Sequence, residues 1–239
     1  MYLFIQLGFA LLTVLFFGWL LYELQKGLRL TNFTEQRKKK IMRGTIISLL
    51  IWMIITGVLS YSGFLSDFSM FPPRLGIVLI IPLIVIVWVT RTETVREILV
   101  HIPQQQIIRI QSFRIFVEIL LWMLFLEKLL PVQMSFEGRN FDVLSGLTAL
   151  IIVWLLNLKK ISRTGIIVWN LFGLGLLINI VTIAILSMPT PFRVFMNEPA
   201  NTIVTEFPIV WLPAFLVPLA YGLHFLSIRK ARLTTPETH

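Results

Sequence analysis

Gln111, Arg114 and Glu118 stand at i, i+3 and i+7, a spacing that puts all three on one face of a helix, with Trp122 continuing the stripe. The surrounding stretch, Ser112–Leu130, is otherwise apolar enough to cross a bilayer. Charged groups at that depth are costly, so they mark either function or adhesion between helices. At 1.5 Å per residue Glu118 lies roughly 9 Å inside one end of its helix. Two readings stay open. Glu118 is a proton or cation site, or the anchor of a polar ligand; or it forms an intrahelical pair with Arg114 that hides two charges from lipid.

Other stretches supply partners at similar depth. Asn170 lies roughly 8 Å and His224 roughly 6 Å from the same end of their own helices. Together with Gln111, Arg114 and Glu118 they form the expected inner polar site, facing one cavity. His224 alone reads more simply as a hydrogen-bonded packing residue. With only His101, His224 and His239 in the chain, and no cysteine, a metal centre is not expected. Asn179, close to Gly173 and Gly175, reads as an interhelical hydrogen bond at a close helix contact.

A second polar cluster is expected at the opposite ends of the helices. The segment FEGRNFD carries Glu137, Arg139, Asn140 and Asp142, and PTPFRVFMNEPANTIVTEF carries Arg193, Asn197, Glu198 and Asn201. Arginines facing these carboxylates make either a lid of ion pairs and caps or an acid/base pair at the membrane surface. No recognised catalytic signature is present. A retinal-type lysine is missing from Pro208–Ile228, as are NPxxY, HExxH and Walker motifs. Ser145 and His224 are expected near opposite ends of their spans, roughly 20 Å apart in depth, too far for a Ser–His dyad.

These groups need a scaffold, and composition says which. The chain has 239 residues, 56% hydrophobic and only 14% charged, yet a net charge of +9. Ordinary soluble domains carry about 25% charged residues. The absence of cysteine excludes a disulfide framework and a thiolate nucleophile. Such a chain belongs in a bilayer, where a span takes about 20 apolar residues. Seven stretches serve: Tyr2–Tyr22, Thr45–Ser62, Leu75–Thr90, Ser112–Leu130, Val143–Leu158, Gly165–Ser187 and Pro208–Ile228. All but the fourth lack Asp, Glu, Lys and Arg. The expected fold is all-α, one polytopic domain over 1–239.

Charge sets the expected orientation. With the N-terminus outside and the C-terminus cytoplasmic, every Lys and Arg except Arg74, Lys128, Arg139 and Arg193 falls on the cytoplasmic side or at the inner end of the fourth span. The +9 is then a record of topology, and no nucleic-acid partner is expected. Trp19, Trp88, Trp154 and Trp169 fall near the cytoplasmic ends, as an interfacial belt would, while Trp52 and Trp122 lie deeper. The first stretch lacks a basic flank and a cleavage site and reads as a retained helix. Glu93–Ile102 is amphipathic and suits a helix lying along the inner surface. The run RKKK at 37–40 either attracts anionic headgroups or serves only as a topology signal. Pro213 and Pro218 inside the last span predict a kink.

The segments GRNFD and PFR…NEPANT resemble those of uncharacterised bacterial multi-pass membrane proteins with seven helices. That resemblance covers the C-terminal half and implies no activity. It places the chain in a bacterial plasma (inner) membrane. Membrane lipids and a small-molecule or ion ligand are the expected partners, with no cofactor and no catalytic residue assigned. Three roles remain: binding or transport of a small molecule or ion, an enzyme acting on a lipid or envelope precursor at the outer face, and a non-catalytic subunit or assembly factor.

Overall fold

The computed structural model describes residues 1–70 and 72–233, and their regular structure is entirely helical. The helices are α1 (Tyr2–Leu30), α2 (Glu35–Tyr61), α3 (Leu75–Val89), α4 (Glu93–His101), α5 (Gln104–Ile110), α6 (Phe113–Leu126), α7 (Val143–Asn157), α8 (Arg163–Leu186) and α9 (Val217–Leu233). A π-helical stretch, Leu212–Leu216, leads into α9. Hydroxyl caps start several of them. Thr34 accepts from Arg37 N, Thr92 from Val95 N and Ser162 from Gly165 N, each satisfying a first-turn donor that has no helical partner.

Four helices are long and apolar enough to cross a membrane: Tyr2–Leu30, Glu35–Tyr61, Arg163–Leu186 and the continuous Leu212–Leu233. A fifth arises if α3 and α4, bent by 73° at their junction, count as one span. Leu3, Leu7, Ile54, Ile84, Trp154 and Val168 all point outward. A soluble protein rarely exposes so continuous an apolar surface; lipid accepts it. The chain is therefore a helical membrane protein.

The bundle has two chemically distinct ends. At one, the N-terminus and the long connections meet. Tyr2 Oη donates to Glu206 Oε2 at 2.6 Å, and Ser60 Oγ to Thr205 O at 2.6 Å. At the other, basic side chains close the helix ends. Arg229 Nη1 donates to Thr90 O and Thr92 O, Lys230 Nζ to Val100 O, and Arg163 Nη2 to Arg232 O. Arg229 thus covers Thr90 O at the C-terminal end of α3, the position where a cation best complements a helix, and bridges to Thr92 O at the start of α4. The segment expected to be amphipathic is α4. It buries Ile98 and Leu99, with Gly27 of α1 letting Ile98 and Ile102 approach.

The kink expected from the prolines is the π-helical stretch. Pro218 has no N–H for Ala214 O, and the indole of Trp52 supplies the missing donor at 2.9 Å. Trp211 Nε1 returns the contact by donating to Met53 O at 3.2 Å. This exchange ties α2 to the π-helical stretch and accounts for the depth of Trp52.

Candidate functional site

The inner and outer polar clusters read from the sequence are sorted differently in space. Helices α6 and α7 have 14 and 15 residues, roughly 21–22 Å each, short of a hydrocarbon core of about 30 Å. The connection 127–142 between them folds back among the helices. It buries Gln133, Ser135, Asn140 and Asp142. Two hydrogen bonds hang it on α8: Gln133 Nε2 to Ser187 Oγ at 2.9 Å, and Asn179 Nδ2 to Arg139 O at 2.9 Å. Asn179 therefore serves this connection rather than a helix-to-helix contact. Gly138 permits the turn, because a Cβ there would sit 2.2 Å from Val132 O.

The folded-back connection delivers Asp142 to Arg114. Arg114 Nε donates to Asp142 Oδ2 at 2.6 Å and Nη2 to Oδ1, a two-pronged pair sealed from solvent. The intrahelical Arg114–Glu118 pair is not formed. A carboxylate meeting the guanidinium fork edge-on takes two parallel bonds, which outcompetes a neighbour one turn along the same helix.

From this pair a relay of hydrogen bonds runs through the core. Arg114 Nη1 lies 2.9 Å from His224 Nε2, and His224 Nδ1 lies 2.9 Å from Asn170 Oδ1. Asn170 Nδ2 donates to Ile166 O and Ser227 Oγ, both at 2.8 Å, and Gln104 Nε2 donates to Ser227 Oγ at 2.6 Å. The proton positions follow from the chemistry. Ile166 O is only an acceptor, so it fixes the Asn170 amide and aims Oδ1 at His224. His224 then donates from Nδ1 and accepts from Arg114 at Nε2, as a neutral imidazole.

On the other side Asn140 continues the chain. Its Nδ2 donates to Glu118 Oε2 at 2.6 Å and to Met134 O at 3.0 Å, and its Oδ1 accepts from Asp142 N at 3.0 Å. Glu118 is 2% exposed. Among the described residues it has no ion pair, because Arg114 is committed to Asp142. Gln111 stands apart, donating to Ala220 O at 3.3 Å with its own oxygen left unpartnered.

The depth assigned to Ser145 and His224 from the sequence is overturned. A methyl built on Gly173 would lie 2.4 Å from His224 Cε1 and 3.3 Å from Ser145 Oγ, so both side chains meet at this glycine. A Ser–His dyad still does not form, for a different reason: the His224 Nε2 lone pair is taken by Arg114.

The remaining outer residues make a cap. Arg193 donates to Phe195 O, Asn197 O and Glu198 Oε1, and the Arg139 guanidinium lies over the Phe195 ring. Asn201 anchors the cap by donating to Ala184 O at 3.0 Å. Glu137 is drawn elsewhere, accepting from Trp122 Nε1 at 2.6 Å. Of the outer set, only Asn140 and Asp142 join the inner site. Sequence reasoning missed Ser227 and Gln104 as relay members; their only signal was a polar residue near the basic ends of two helices.

A family model described as a domain of unknown function, DUF8737, matches residues 72–232, more than half of the chain and all of the relay. No curated protein and no solved structure matches.

Proposed function

The chain belongs to the DUF8737 family of domains of unknown function, and on that premise we propose that it binds or moves a small molecule or ion, with Glu118 as the cation-accepting group. One observation carries this reading: Arg114 is committed to Asp142, which leaves the buried Glu118 carboxylate with neutral Asn140 as its partner. A buried carboxylate without a fixed cation is a site for a mobile one, a proton, a metal ion or the ammonium of a ligand. The relay beyond it is not a proton wire, since guanidinium and amide groups do not pass protons on. It is a clamp that holds Arg114 away from Glu118.

The reading takes the chain as seven spans in a bacterial inner membrane, N-terminus outside and C-terminus cytoplasmic. Helices occur at all seven apolar stretches, and on that threading every Lys and Arg except Arg74, Lys128, Arg139 and Arg193 falls on the cytoplasmic side or at the inner end of the fourth span. The short spans α6 and α7 are completed by the buried connection between them.

The test uses purified protein in dye-loaded proteoliposomes under an imposed potential, with protons and sodium as separate probes. Wild type dissipates one of the two gradients, and Glu118→Gln, which keeps the acceptor for Asn140, slows that flux at least tenfold with unchanged thermal stability. Equal flux in the variant, or no flux of either ion in wild type, overturns the proposal. The second outcome would favour a packing role for the relay, as in a non-catalytic subunit.

A further inference from the structure

Away from the relay, a cavity of about 630 Å³ opens between α1–α2 on one side and α3, α4 and the start of α9 on the other. That volume lies within the range of about 300–1,000 Å³ that takes a sizeable ligand. Its walls are apolar, with Trp52, Ile86, Val89, Phe215 and Leu219 among them, and its polar lining includes Glu23, Thr94 and Gln106 towards the basic end. We infer that this cavity holds an acyl chain of an anionic phospholipid whose phosphate rests on a basic rim containing Lys26 and Arg37.

Charge at the mouth selects the headgroup. In the amide orientation that satisfies both neighbours, Gln106 donates to Glu23 Oε2 at 3.1 Å and accepts from Lys26 Nζ at 2.5 Å. Glu23 also accepts from Trp19 Nε1 at 3.2 Å. Arg37 is stacked on Phe33, 4.1 Å from the ring centre, and donates through Nη2 to Thr94 Oγ1 at 3.3 Å. Its guanidinium is thereby held at the rim, on a residue that remains exposed. Lys38 pairs with Glu35, and Lys39 and Lys40 follow on the same first turns of α2. Ile41, the next residue, already lines the cavity. Against Glu23 and Glu35, the rim carries Lys26, Arg37 and Lys38, a positive surplus where a lipid phosphate would lie. Arg37 and Lys38 of the run at 37–40 then do more than set topology. They stand on the face of α2 that continues into the cavity lining.

The test measures thermal unfolding of the detergent-purified protein with phosphatidylglycerol, phosphatidylcholine or inorganic phosphate added. The expected result is a rise of several degrees with phosphatidylglycerol, a smaller rise with phosphatidylcholine, and none with phosphate. Lys26→Ala/Arg37→Ala removes the difference between the two lipids. Ser48→Phe, a substitution at an exposed position on the cavity wall, removes the response to both while the protein still folds. A lipid difference that survives the double variant, a response that survives Ser48→Phe, or an equal response to phosphate alone overturns the inference.

Discussion

Arg114 grips Asp142 across 28 residues of sequence through two donors, with side chains only 2% and 8% exposed. The pair fixes the connection 127–142 within the bundle and turns Arg114 away from Glu118. Burying two ions costs several kcal/mol each, so such a pair adds little net stability, but removing one member leaves an uncompensated charge.

Asp142→Asn or Arg114→Met alone should therefore lower stability by about 3–5 kcal/mol. The double variant Arg114→Met/Asp142→Leu should recover most of that loss. Denaturant unfolding in detergent, arranged as a double-mutant cycle, measures the coupling; additive losses would show that the pair is not the determinant.

Gly173→Ala places a methyl 2.4 Å from His224 Cε1. The imidazole must move and break its bonds to Arg114 and Asn170, at a cost of about 1–3 kcal/mol. Gly175, two residues along α8, has nothing within 4 Å of its own absent methyl. Gly175→Ala should be neutral or stabilising by about 0.5–1 kcal/mol. Melting temperatures of the two variants check the contrast.

Trp52→Phe deprives Ala214 O of its donor and should cost about 1–3 kcal/mol, the usual penalty for an unsatisfied buried carbonyl. Pro218→Ala restores a backbone N–H at the position that lacks one. Introduced into Trp52→Phe, it should return part of the loss, as read by thermal unfolding.

Asp67 lies in the connection between α2 and α3. The Ser69 hydroxyl at 2.6 Å and Ser69 N at 3.0 Å hold its carboxyl below the usual range, with Arg74 at 2.9 Å adding to the effect. A depressed folded value means the turn is fully supported above the ordinary Asp value of about 3.9. That support is lost as pH falls through the lower folded value. The Ser69 amide resonance should report this acid-side transition, and Asp67→Asn should abolish it.

Much of the scaffold was legible along the chain. Apolar length marked α1, α2, α3, α6, α7, α8 and α9, turn by turn in the case of Val143–Asn157, which the sequence places at Val143–Leu158, while the short α5 carried no such signal. Pro218 announced the break in the last helix, and the period of Glu93–Ile102 announced α4. The candidate residues were legible as well, because a carboxylate or imidazole in an apolar run is conspicuous. Their partners were not. Arg114 and Glu118, four apart on one helix, looked like a pair, while Asp142 looked like a surface residue.

The sequence by itself determined that this is a helical membrane protein, where its apolar helices lie and which polar groups they carry, because hydrophobicity and helical period are local properties of the chain. Only the tertiary structure decided that Asp142 reaches Arg114, that Ser145 and His224 meet at Gly173, and that Glu118 is left to Asn140. Those outcomes depend on how far the connection 127–142 sinks between the helices. That depth is set by the shortness of α6 and α7 and by hydrogen bonds to α8 from residues some 40 to 54 positions away, which no local pattern records.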